Sequence, residues 1–206
     1  GGIPGEKVRV RIVDRGEDGV AKAVLISVLE PSSHRIKPPC PHASECGGCS
    51  FQHVAYDEQL RRKAHLLDGL LEDTFGSVRP TVSPMIGMPV DEDGVPRRFR
   101  QKAAFTFVED HKGHLQIGHF ARGTHTVMPV TECLVHSDRA NQIAFAIKKA
   151  MAEKRVPVAT ERSGLLRHVV VRVTEDEKEA VAVVVATEEH RVLDASLRAI
   201  SGSKQK

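Results

Sequence analysis

Cys40-Pro41-His42-Ala43-Ser44-Glu45-Cys46-Gly47-Gly48-Cys49 is the stretch from which the rest of the chain is read. Three thiols fall within ten residues, in a run with no apolar period and with prolines at 38, 39 and 41. Such a run is a loop, and a bound metal would order it. Gly47 and Gly48 lie between two of the thiols, where the absence of a Cβ lets the backbone bend toward sulfur. The fourth and last cysteine, Cys133, follows after 83 intervening residues. Three thiolates from one loop and a distant fourth make a closed ligand set, which suits either tetrahedral zinc or a [4Fe–4S] cluster. Zinc could also take three thiolates with His53, four positions after Cys49. Unliganded core cysteines are the plainer reading, and a Cys-Gly-Gly-Cys turn in a proline-rich loop argues against it.

Working outward, residues 7–13 alternate apolar and basic side chains, and residues 20–29 read as a second strand across the turn Asp14 to Gly19. Two strands alone cannot bury a face, so residues 1–30 dock on something or belong to a larger barrel. A helix is expected from an Asp57 cap to about Asp73, with Leu60, Ala64, Leu67 and Leu71 on one stripe and Leu66 and Leu70 beside it. Residues 75–96 are an irregular connection. A long strand is expected over 98–109, with Phe99, Ala103, Phe105 and Phe107 on one face and Arg98, Arg100 and Lys102 on the other. Residues 115–120 return as its partner, and 124–130 add a third strand.

Ser137 caps a helix through about Lys154, with Ala140, Ile143, Ala144, Ile147 and Met151 facing inward. Residues 165–174 and 179–187 form a valine-rich hairpin, and Val192, Leu193 and Leu197 mark a last helix before the polar tail Ser201 to Lys206. Strands, helix, hairpin, helix, hairpin and helix in that order predict an α+β fold with antiparallel sheet.

Composition narrows the function classes. The 206 residues carry a net charge of only +3, so nucleic-acid contact would depend on where the charge is placed. Without Trp and with a single Tyr, base stacking would fall to Phe or His. No apolar run reaches the ~18 residues needed to span a bilayer, and no signal pattern opens the chain, so a cytoplasmic protein is expected.

The block Cys40 to His53, followed by Tyr56, Gln59, Leu60 and Lys63, resembles the iron–sulfur signature of the RNA uracil-5-methyltransferases. Arg98-Phe99-Arg100-Gln101-Lys102-Ala103 resembles that family's basic strand. Gly118-His119-Phe120 with Arg122-Gly123 resembles its return strand, with His119 where the family usually has Phe. Glu132-Cys133 is similar to the segment bearing the fourth ligand, and Gly164-Leu165-Leu166-Arg167-His168 to a late strand.

The resemblance implies a [4Fe–4S] cluster on Cys40, Cys46, Cys49 and Cys133. It implies a partial TRAM-like β segment over residues 1–36, and a central RNA-binding α+β domain over 37–206 in which the cluster loop lies. The partner implied is ribosomal or transfer RNA, contacted by Arg98, Arg100, Lys102, Arg122, Gln52 and His53. In the family the S-adenosylmethionine site and a nucleophilic Cys belong to a further Rossmann-like domain. Adding that thiolate to uracil C6 makes C5 nucleophilic toward the methyl donor. No Gly-rich strand-to-helix loop here matches such a domain, and the metal claims all four thiols. The chain by itself is therefore expected to be inactive. A stand-alone zinc-bound RNA- or protein-binding module is the alternative, and an electron-transfer protein a third reading.

Overall fold

The computed structural model describes residues 1–16, 19–161 and 163–202. The chain is α+β and packs as two units. The first comprises Gly1–Pro39 and Ser50–Val95; the second comprises Cys40–Cys49 and the chain from Pro96. This division departs from the expected single boundary at residue 36, because the first long helix groups with the N-terminal strands and the cysteine loop with the second unit.

In the first unit, β1 (Lys7–Arg15) and β2 (Ala21–Glu30) form a two-stranded antiparallel ribbon. Residues 17 and 18 of the expected turn lie outside the described residues. Most of the ribbon's side chains are exposed, on both faces. Its base is fixed by charge: Arg35 Nε and Nη2 donate to the Glu6 carboxylate at 2.5 and 2.7 Å, and the backbone amides of Ile3 and Ser32 donate to it as well.

The helix α1 (Tyr56–Phe75) and its cap start two residues earlier than expected. Ala55 is at the cap position without a side-chain cap, and Asp57 lies in the first turn, where its charge complements the helix dipole. Leu60, Ala64 and Leu71 are half-buried, but Leu66, Leu67 and Leu70 are exposed, so the expected stripe is covered only in part. The buried residue of this helix is Glu58, which is ion-paired with Arg61 and Arg62.

The second unit is built on a five-stranded antiparallel sheet in the order β5-β4-β3-β6-β7, from β3 (Lys102–Glu109), β4 (Leu115–Phe120), β5 (Val127–Pro129), β6 (Leu166–Val173) and β7 (Ala180–Ala186). The two hairpins join through β3 and β6, with Ala103 opposite Val171 and Phe105 opposite Val169. Ala103, Phe105 and Phe107 are buried on one face of β3, as the period of two requires. On β6 the buried positions are 166, 169, 171 and 173. The register shift between Leu166 and His168 restores the phase, as a bulge does.

This face is covered by α2 (Asp138–Glu153), which buries Ala140, Ala144, Ile147 and Met151 at helical spacing. Ser137 caps it, its hydroxyl accepting from the Ala140 amide at 3.1 Å. Beside it lies α3 (Arg191–Gly202), with Leu193 buried and Val192 and Leu197 partly so. Residues 203–206 of the expected polar tail lie outside the described residues.

The strand expected from residue 98 begins instead at Lys102. Arg98 adopts φ +57°, a left-handed conformation that breaks an extended run. Residues 98–100 pair with the segment after Cys133 instead: the Arg98 amide donates to Leu134 O, the Arg100 amide to Val135 O, and the Ser137 amide to Arg100 O.

Candidate metal centre

The four cysteines all belong to the second unit. Within the loop, the Cys46 amide donates to His42 O at 2.8 Å and the Gly48 amide to Cys46 Sγ at 3.3 Å. The loop is fastened to the end of β4. Gly47 N donates to Phe120 O at 3.0 Å, Arg122 N to Glu45 O at 2.7 Å, and Cys46 bridges Ala121. A Cβ on Gly47 would stand 3.1 Å from Phe120 O, so glycine permits this approach. Gly118 is stricter: a Cβ there would lie 1.9 Å from Met128 O, where β5 crosses β4.

Cys133 is held from α2. Asn141 Oδ1 accepts from its amide at 3.2 Å, and Asn141 Nδ2 donates to its carbonyl at 3.0 Å. Burial pushes the Cys133 thiol above its ordinary pKa, and the charges of Cys49 and Cys46 add to that. Cys40 is raised likewise, first by burial and further by Cys49, Cys46 and Glu132. Thiols that would repel one another as thiolates need a cation among them to ionise together.

Two residues that the spacing argument left without a role enter the same site. One ligand atom each of His119, Cys133 and His136 lies within 4.8 Å of the others. His136 follows Cys133 by three, and its amide donates to Cys133 O at 3.1 Å, a turn that folds the ring back over the cysteine. The ring of Phe105 stacks on His119 at 4.8 Å and meets His136 edge-on at 5.2 Å. Burial lowers the His119 pKa, helped by Arg100 and His42. Burial likewise takes His136 down to about 4, with His119 and Arg100 contributing. Both imidazoles are therefore neutral near pH 7. His119 Nε2 and His136 Nδ1 are buried with no hydrogen-bond partner among the described residues. The Cys133-x-x-His136 spacing is a readable signal for one of them; the long-range approach of β4 that brings in His119 is not.

The basic residues are not one row. Lys102 and Arg100 are exposed, at the start of β3 and just before it. Arg98 donates to Asp138 at 2.8 Å. Arg122 Nη2 donates to the carbonyls of Cys46 and Cys49 at 3.2 and 2.7 Å, so this guanidinium braces the cysteine loop. Gln52 and His53, both half-buried, lie in the first unit. No helix among the described residues is long and apolar enough to cross a membrane.

No family model matches the chain. It is 32% identical over 191 residues to the uncharacterized RNA methyltransferase BH0897 of Halalkalibacterium halodurans, covering 91% of this chain and 40% of that protein. It is 31% identical over 173 residues to the uncharacterized RNA methyltransferase alr3654 of Nostoc sp., covering 83% of this chain and 36% of that protein. The fold is similar to the tRNA (uracil-54, C5)-methyltransferase of Pyrococcus abyssi, solved in complex with S-adenosyl-L-homocysteine. There the TM-score is 0.64 at 21% identity, covering 95% of this chain and 43% of that one.

Proposed function

Because this chain belongs to the RNA methyltransferases, spanning 36–40% of the length of the curated relatives named above, we propose that it is the RNA-binding, cluster-bearing portion of an S-adenosylmethionine-dependent RNA (uracil-5-)-methyltransferase acting on ribosomal or transfer RNA. The observation that carries the reading is the relationship to RNA methyltransferases along 83–91% of the chain. The choice of uracil C5 is supported by the resemblance of residues 40–63 and by the fold shared with a tRNA (uracil-54, C5)-methyltransferase. Such a protein works on RNA in the reducing cytoplasm, where free thiols persist.

In this reading Cys40, Cys46, Cys49 and Cys133 hold a [4Fe–4S] cluster. The residues suit it: the loop thiols and Cys133 share one unit, a loop amide points at Cys46 sulfur, and Arg122 braces the loop from outside. The cluster's contribution is structural, pinning the 40–49 loop to the segment at 133. Iron and sulfide are to be counted in protein prepared without air. Brown protein with about four of each per chain is expected; colourless protein carrying zinc would replace the cluster with a zinc-bound module.

RNA contact falls to the exposed Arg100 and Lys102 with Arg98 and Arg122 in the second unit, and to Gln52 and His53 in the first. Residues 1–36 act as a TRAM-like segment that offers RNA contacts of its own through Arg9 and Arg11. These groups would hold the RNA while the target uracil is turned out of its stack. Replacing Arg100 or Lys102 by Ala is expected to weaken RNA binding and to lower the slope of log affinity against log salt by about one each. Methyl transfer belongs to the whole protein. With four thiols committed to the metal, the 206-residue chain has no nucleophile for uracil C6. Turnover of RNA by this chain with S-adenosylmethionine would refute that.

A further inference from the structure

We propose that His119, Cys133 and His136 form a site for a single borderline-soft divalent cation of the zinc type, taken up when the four-cysteine centre is not assembled. The site stands on its own geometry and shares only Cys133 with that centre. Three ligand atoms already lie within 4.8 Å of one another. With Zn–N near ~2.1 Å and Zn–S near ~2.3 Å, tetrahedral ligand atoms are roughly 3.3–3.8 Å apart. Side-chain rotations on the order of 1 Å close the difference, with no rearrangement of the sheet.

The second observation is the state of the rings. His136 is only 4% exposed, and both His136 Nδ1 and His119 Nε2 are buried without a partner among the described residues. A buried ring nitrogen with nothing to bind is costly and calls for an explanation; a shared cation supplies one. The ligands are also held in place. Phe105 packs against both rings, the turn from Cys133 to His136 is closed by a backbone hydrogen bond, and Asn141 grips Cys133 at both its amide and its carbonyl.

The imidazole–thiolate set suits zinc better than calcium or magnesium, which prefer oxygen ligands. Binding releases the Cys133 thiol proton, so the site gains one net positive charge. Arg100, whose charge reaches both rings, opposes that gain. The bound metal would keep a fourth position open to water.

The test uses the 206-residue chain stripped of metal under reducing conditions. Cobalt(II) serves as the reporter, because it shows thiolate charge transfer and ligand-field bands where zinc is silent. A triple variant, Cys40→Ser with Cys46→Ser and Cys49→Ser, leaves only Cys133 as a thiol. It is expected to bind one cobalt with a thiolate charge-transfer band that zinc bleaches. Adding His119→Phe or His136→Gln should weaken that binding by about tenfold or more. Phe at 119 keeps a ring on Phe105, and circular dichroism checks that each variant is folded.

A folded triple variant without the cobalt band overturns the site. If the triple variant does not fold, the two histidine variants are made on Cys40→Ser alone, which cannot assemble the four-cysteine set. Unchanged cobalt affinity and spectrum in both would then overturn it. Iron and sulfide uptake by the wild-type chain is measured separately. Iron taken up there without cobalt in the triple variant removes this site alone; cobalt bound without iron uptake removes the cluster alone.

Discussion

The ribbon of the first unit and the sheet of the second are written in nearly the same alphabet. β1 reads Lys-Val-Arg-Val-Arg-Ile-Val over residues 7–13, and β6 reads Leu-Arg-His-Val-Val-Val-Arg-Val over 166–173. On β6, Val169 and Val171 are fully buried; on β1, Val10 and Ile12 are each 46% exposed. Alternation makes both into strands. Burial needs a second layer, and the sheet has one, because α2 lays Ala140, Ala144, Ile147 and Met151 across it, while the ribbon's side chains are mostly exposed. What holds the ribbon's base is instead a carboxylate–guanidinium pair. One region is held chiefly by excluded water and the other chiefly by charge.

That contrast can be broken most forcefully at Phe105. Its ring is 1% exposed and packs against His119, His136 and Phe145. Phe105→Ala is expected to lower the stability of the second unit by about 3–5 kcal/mol, measured by denaturant unfolding. A loss under about 1 kcal/mol would mean the sheet is not held by this core.

Acid should act on the other region. Arg35, with help from the Ile3 and Ser32 amides, holds the Glu6 pKa near 2, down from 4.5. A depressed folded-state pKa gives stability that is present above about 4.5 and fades as pH falls toward 2. Amide protection in the ribbon, corrected for the intrinsic exchange rate, should therefore fall over that window before protection in the sheet does. Glu6→Gln should speed ribbon exchange at neutral pH and flatten its acid dependence. An equal acid response in ribbon and sheet would erase the distinction.

Ser137→Ala removes a cap in the buried site region and should cost about 1 kcal/mol, read as a shift in the unfolding midpoint. At the small end, Val10→Thr on the ribbon should change stability by no more than about 0.5 kcal/mol. A loss as large as that from a core valine would show that the ribbon's apolar face is covered in solution.

Most elements were legible because each carries a complete local signal. Ser137 before a spaced apolar stripe marks α2, and two valine-rich runs with a short gap between them mark the β6–β7 hairpin. The strand start was misread because Arg98-Phe99-Arg100 continues the alternation of 102–107 through a backbone break that side-chain pattern does not encode. The leucines of α1 are read too fully for the converse reason: a stripe states what a helix can bury, and Leu66, Leu67 and Leu70 are exposed. In the site, the four thiols stood out by spacing, while His119 looked like a substitution on a strand. Arg122 is expected as an RNA contact, and its bonds to the loop carbonyls are not legible in the sequence.

The chain's own letters determined which segments are strands and helices, where α2 begins, and that four sulfurs are the residues to watch. Those are properties of near neighbours, decided by period, capping and loop composition. Tertiary structure alone decided that β3 pairs with β6, that residues 98–100 clasp the segment after Cys133, and that His119 comes to its thiol. Each of these joins residues on different elements, well separated along the chain, and no local preference records the contact that pays for bringing them together.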